Sequence, residues 1–131
     1  MIDAALRNLV RQRAGHRCEY CGFWQWQIPV PLFHIEHIVP KKHGGDDDPS
    51  NLALACHHCN LHKGPNLTGI DPESGNVTSL FHPRNERWET HFVLQDDTII
   101  GLSPVGRTTI QVLDMNAAER VQLREKLRAR G

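Results

Sequence analysis

The sequence predicts a small α+β domain stapled by zinc, with a helix before the metal-bound unit and a hairpin, a strand and a helix after it. Three observations predict this. The four cysteines fall into two Cys-x2-Cys pairs, at 18/21 and 56/59. Residues 33–39, FHIEHIV, alternate with the two-residue period of a half-buried strand, and NLALA at 51–55 reads as a short second strand. Both ends of the chain carry helix-period patterns rich in arginine. At 131 residues the chain has single-domain length, so 1–131 reads as one domain. Apolar residues make up 39% and aromatics 6%, so the core is small and gains from a covalent or metal staple.

The elements follow in order. Residues 3–14 read as a helix with Leu6, Leu9, Val10 and Arg13 on one side and Arg7 and Arg11 pointing away. Asp3 is its N-cap and Gly15 its stop. CEYC is a tight knuckle, and prolines 29 and 31 limit pairing in the segment after it. In FHIEHIV, Phe33, Ile35 and His37 share one face and His34, Glu36 and Ile38 the other. PKKHGGDDDPS is a loop by composition, and HHCNLHK is a short helix ended by Gly64-Pro65. GIDPESGN is turn-rich. WETHFVL and TIIGLS flank a hairpin turn, and RTTIQVL, rich in β-branched residues, reads as a further strand. NAAERVQLREKLRAR is the final helix, with Asn116 and Glu119 in capping-box positions. Arg120 and Arg124 interrupt its apolar stripe, and either lie over apolar surface by their stems or meet phosphate.

Charge excludes little. Fifteen basic residues balance fifteen acidic ones, so a basic surface must be local. The arginines crowding both termini read as solvated helix faces. The first fifteen residues lack an unbroken apolar stretch and carry arginines throughout, unlike a secretory signal. No run approaches the length of a membrane span. A cytoplasmic setting is therefore expected, in which paired cysteines point to metal rather than disulfides.

Cys18, Cys21, Cys56 and Cys59 supply four sulfurs and close a tetrahedral site with no open position. The expected zinc is structural. Between the knuckles lie His34, Glu36, His37, His43 and Asn51, and Asn60, His62 and Lys63 follow the last cysteine. Glu36 and His37 are neighbours and face opposite ways unless the strand bends. If zinc clamps the short helix against the strand, Asn60 can face Glu36. A carboxylate and an amide oxygen are hard ligands suited to Mg²⁺ or Mn²⁺. A satisfied polar cluster under the loop remains an equal alternative from the residues alone.

The stretch IEHIVPKKHGGDDDPSNLALACHHCNLHKG resembles the HNH endonucleases, in the zinc-containing branch with two Cys-x2-Cys knuckles. The shared pattern is an acidic residue followed by His, then I-x-P, a Gly-rich loop, N-L, and an Asn or His just after the second knuckle. The resemblance covers residues 16–64 and leaves 65–131 as an accessory extension, similar to a segment on some bacterial members. It implies a ββα-metal finger with strands at about 33–39 and 51–55 and a helix at about 57–64. It implies His37 as general base, a role imidazole suits near neutral pH, and Asn51 as the residue that orders the loop and helps fix the His37 ring. It implies Glu36 and Asn60 as ligands of one divalent cation, Mg²⁺ or Mn²⁺, which stabilises the leaving 3′ oxygen. The first metal position is more often Asp in such proteins, so a Glu would require adjusted placement.

The implied activity is metal-dependent hydrolysis of phosphodiester bonds in DNA, taken as double-stranded, by a monomer or a homodimer. The rival reading is a non-catalytic zinc module that binds nucleic acid. Lys41, Lys42 and Lys63 are candidate phosphate contacts. His34 reads as a strand histidine bonded to solvent or backbone, and His57, His58 and His62 as bystanders. Trp24 and Trp26 read as core rather than as a base-stacking surface.

Overall fold

The structure, a computed structural model, describes residues 2–130. It is a mixed α+β fold with five α-helices and three two-stranded antiparallel sheets among the described residues. No helix among them is long and apolar enough to cross a membrane.

The first helix, α1 (Ala4–Arg13), starts where expected, because the Asp3 side chain accepts from the Leu6 N–H at 2.9 Å. It stops before Gly15, whose φ of +64° suits a residue without a side chain. Val10 is fully buried and anchors the helix on the core. Arg7 is exposed as expected, but Arg11 and Arg13 are not a solvated face. Arg11 donates to the Phe33 carbonyl at 3.1 Å, and Arg13 to those of Pro49 (3.0 Å) and Leu52 (2.7 Å). Arg11 therefore faces the finger, contrary to the helical-wheel expectation, because the Phe33 carbonyl just before His34 accepts its guanidinium.

Strand β1 (His34–His37) pairs antiparallel with β2 (Leu52–Ala55), with His34 opposite Ala55 and His37 opposite Leu52. All four residues of β2 are buried. Helix α2 (His57–Lys63) follows at once, capped by the Cys56 sulfur. Strand, strand and helix fall where expected because alternation, loop composition and the Gly64-Pro65 stop are local signals.

The extension adds hairpins β3/β4 (Thr68–Ile70 with Val77–Ser79) and β5/β6 (Phe92–Gln95 with Thr98–Gly101), the latter as expected. WETH, expected as part of the hairpin's first arm, is instead a short helix α3 (Trp88–His91) that precedes β5. RTTIQVL is not a strand but part of helix α4 (Pro104–Leu113). Ser103 caps it, accepting from Gly106 N–H at 3.0 Å, and Pro104 occupies the first turn, where its missing N–H costs nothing. Thr108 and Thr109 are fully buried. The Thr109 hydroxyl donates to the Val105 carbonyl (2.7 Å) and accepts from Phe81 N–H (2.9 Å), so its polar atom suits a buried helix face. Tertiary packing overrides β-propensity here. A side chain at Gly106 would meet the His91 carbonyl at 2.0 Å, so α4 lies directly on the chain leaving α3.

The final helix, α5 (Ala118–Ala129), lacks the expected capping box. Ala117 is its N-cap, and Asn116 instead pairs with the backbone of Ile99, accepting at 2.9 Å and donating at 2.8 Å. The amide serves as an extra strand partner for β6, which the hairpin otherwise leaves with an open edge. Trp88 ties the extension to the finger, its indole N–H donating to the Tyr20 carbonyl at 2.7 Å.

Candidate active site and zinc centre

The four cysteines are all buried and unbridged, and their sulfurs lie within 4.8 Å of one another. Each knuckle turns an N–H back onto its own first sulfur, Cys21 to Cys18 and Cys59 to Cys56 at 3.4–3.5 Å. The Cys21 and Cys56 sulfurs stand 3.7 Å apart, the edge expected of a tetrahedron with Zn–S near 2.3 Å. Glu19, inside the first knuckle, pairs with Leu54 of β2 through both its N–H and its side chain (2.9 and 2.8 Å), which fixes one knuckle against the other.

One residue of the final helix tests whether this donor set suits a cation of charge two. Arg120 is buried at 7% exposure and directs one guanidinium nitrogen to the Cys21 sulfur (3.0 Å) and the Cys56 sulfur (3.2 Å), over the Phe23 ring. A buried guanidinium needs an anion, and thiolates are what it meets. Hydrogen bonds from the other cysteines, then the Arg120 charge, hold Cys56 well below the usual thiol range. Burial would lower the Arg120 pKa, but the thiolates outweigh it and hold it up. The residues fit a zinc thiolate centre. Arg124 lies beside it over Phe23, with its guanidinium on the carbonyls of Asp97 and Met115. Neither arginine is a phosphate contact. Both were unassignable from sequence because their partners lie far along the chain.

The finger's polar residues separate onto two sides of β1. On one side His37, last in the strand, places Nε2 2.7 Å from Oδ1 of Asp47, with about a fifth of each side chain exposed. Lys41 approaches the same carboxylate at 3.4 Å and is largely exposed, as is Lys42. Asn51 ties the loop together. It accepts from Val39 N–H (2.8 Å) and donates to the carbonyls of Val39 (3.0 Å) and Asp46 (2.9 Å). Asn51 makes no bond to the His37 ring; it holds Asp46, the neighbour of the residue that does. Gly45 is also required, since a Cβ there would meet the Val39 carbonyl at 1.7 Å. Asp47 was missed from sequence, although three consecutive aspartates in the loop marked the segment.

On the other side Glu36 is buried, and both carboxylate oxygens are engaged. Tyr20 donates its hydroxyl to Oε1, and Lys63 its ammonium to Oε2 at 3.1 Å. Burial pushes the Glu36 carboxyl up, against the pull of Lys63 and Tyr20. Lys63 also donates to the carbonyls of His37 (3.3 Å) and Ile38 (2.9 Å) and is 2% exposed. The expectation of Lys63 as a surface phosphate contact is therefore corrected: Glu36 and two strand-end carbonyls draw it inside. Asn60 lies on α2 between His57 and Lys63, half-buried. His34 is not bonded to solvent or backbone alone; its Nε2 sits 3.1 Å from Nδ1 of His57, so His57 is no bystander. Trp24 and Trp26 are not core residues. They are 36% and 70% exposed and stack on each other, with Arg17 over Trp24.

An antiparallel ribbon, a crossing helix and four converging sulfurs define a zinc-stapled ββα finger. Residues 18–66 match the model of the HNH endonuclease family, so this segment is an HNH endonuclease domain. That domain implies a nuclease, and hence a nucleic-acid substrate, in general terms. No curated protein and no solved structure matches the chain.

Proposed function

We propose that the protein hydrolyses phosphodiester bonds in double-stranded DNA, with His37 as the general base. The observation that carries the reading is the His37–Asp47 pair, at 2.7 Å, inside the HNH segment and open to solvent. An imidazole whose Nε2 bonds a carboxylate has its ring held in place, and the ionised carboxylate stabilises the imidazolium formed on taking a proton from water. Asp47 is thus a positioning residue for His37. Asn51 acts one step further out, through the backbone of Asp46.

Glu36 and Asn60 are the carboxylate and amide assigned to a divalent cation, Mg²⁺ or Mn²⁺. Glu36 is buried with Oε1 on the Tyr20 hydroxyl and Oε2 on the Lys63 ammonium, so a metal would reach its carboxylate by displacing one of them. A cation bound there supplies positive charge that stabilises the leaving oxygen. Lys41 and Lys42 remain candidate phosphate contacts, positioning the duplex without reading its sequence. Residues 65–131 serve as an accessory extension that braces the zinc centre through Arg120, and the finger acts as a monomer or a homodimer in the cytoplasm.

The test is conversion of supercoiled plasmid to nicked or linear forms with Mg²⁺ or Mn²⁺, using the parent and His37→Ala. Loss of cleavage in a variant that keeps its zinc and its circular dichroism spectrum supports the reading. Equal cleavage by the variant removes His37 from the chemistry. Salt-sensitive DNA binding without cleavage by the parent favours the non-catalytic module.

A further inference from the structure

We propose that His58, His62 and Asp114 form a second metal site, separate from the cysteine centre and from His37, that takes a first-row divalent ion such as Zn²⁺ and pins α2 to the end of α4. His58 and His62 stand four residues apart on α2 and so share one face, their ring centroids 4.2 Å apart. Asp114 ends α4 in the left-handed region, with φ +48° and ψ +49°. That turn brings it against α2: one ligand atom from each of the three residues lies within 4.8 Å of the others.

His58 is oriented by a hydrogen bond, and His62 and Asp114 are uncommitted. His58 Nε2 lies 2.8 Å from the Asp114 backbone carbonyl, a bond that spans 56 residues of chain. With Nε2–H donating there, Nδ1 keeps the lone pair, and carbonyl support of this kind commonly orients imidazole ligands. Among the described residues, the His62 ring nitrogens and the Asp114 carboxylate have no hydrogen-bond partner. His62 and Asp114 are exposed and His58 half-buried, so an ion can reach the site and keep water in its remaining positions. Two imidazole nitrogens and one carboxylate suit Zn²⁺, Co²⁺ or Ni²⁺ better than the all-oxygen preference of Mg²⁺. The His-x3-His spacing is visible in the sequence, but Asp114 reaches it only because α4 packs on α2.

The test uses the full, untagged chain, since an affinity tag of histidines would mimic the site. The parent, His62→Ala and Asp114→Asn are loaded with Zn²⁺ or Co²⁺, dialysed, and assayed for bound metal by atomic absorption and by titration calorimetry. Whatever ion Glu36 and Asn60 hold is common to all three proteins, so the parent is expected to bind one more ion per chain than either variant. The sulfur-to-cobalt absorption of the cysteine centre should be the same in all three, which shows that the first site and the fold survive. Added Zn²⁺ should raise the melting temperature of the zinc-reconstituted parent and leave that of the variants unmoved. A parent that binds no more ions than either variant overturns the proposal.

Discussion

Arg120 offers the sharpest test of how the extension supports the finger. Four thiolates around one zinc carry a net charge of about −2 in a buried setting. The guanidinium meets two of them at 3.0 and 3.2 Å, and with about half a charge on each sulfur and an effective dielectric of about 20 each such attraction is worth about 2–3 kcal/mol before desolvation. Desolvation of the arginine offsets much of that gain. Removing one partner of a buried ion pair typically costs about 3–5 kcal/mol, because the other charge stays buried and unanswered. Arg120→Met keeps an apolar stem and deletes the guanidinium that lies over Phe23 and against the sulfurs. It is expected to destabilise the zinc-loaded protein by about 3–5 kcal/mol and to weaken zinc binding by about 10–100-fold. Urea denaturation of the holoprotein measures the first, and competition with a chromophoric chelator measures the second. A variant within about 0.5 kcal/mol of the parent, with unchanged zinc affinity, would refute the reasoning.

Other outcomes follow from single residues. Asp47→Asn should lower plasmid cleavage by about 10²-fold or more while leaving zinc content near that of the parent, since it removes the anionic partner of His37 and the cysteine centre lies apart from it. Gly45→Ala should destabilise the loop and reduce cleavage together, because its Cβ falls 1.7 Å from the Val39 carbonyl; an unaltered melting curve would count against it. Asp71 is held below the ordinary carboxylate range, first by its hydrogen bonds to Arg107. A depressed folded-state pKa means stability that is present above about pH 4 and lost as pH falls through the folded value. Asp71→Asn should therefore flatten the acid limb of the stability curve below about pH 4, measured as urea midpoint against pH.

The sequence by itself determined the finger. Paired cysteine spacing, two-residue alternation in FHIEHIV and the Gly-Pro stop after HHCNLHK are signals carried within a few residues, and the backbone obeys them. The same holds for the Asp3 cap and the β5/β6 hairpin. Tertiary structure decided what the charged and polar side chains do, because their partners lie far along the chain. Lys63 turns inward because Glu36 and the end of β1 wait there, and Arg120 reaches sulfurs contributed by both knuckles. RTTIQVL becomes helix because Ser103 and Pro104 start one and the buried Thr109 hydroxyl finds backbone partners. Local propensity is a free-energy difference of about 1 kcal/mol or less per residue. A buried charge left without its counterpart costs several times that, so long-range pairing sets where these side chains end.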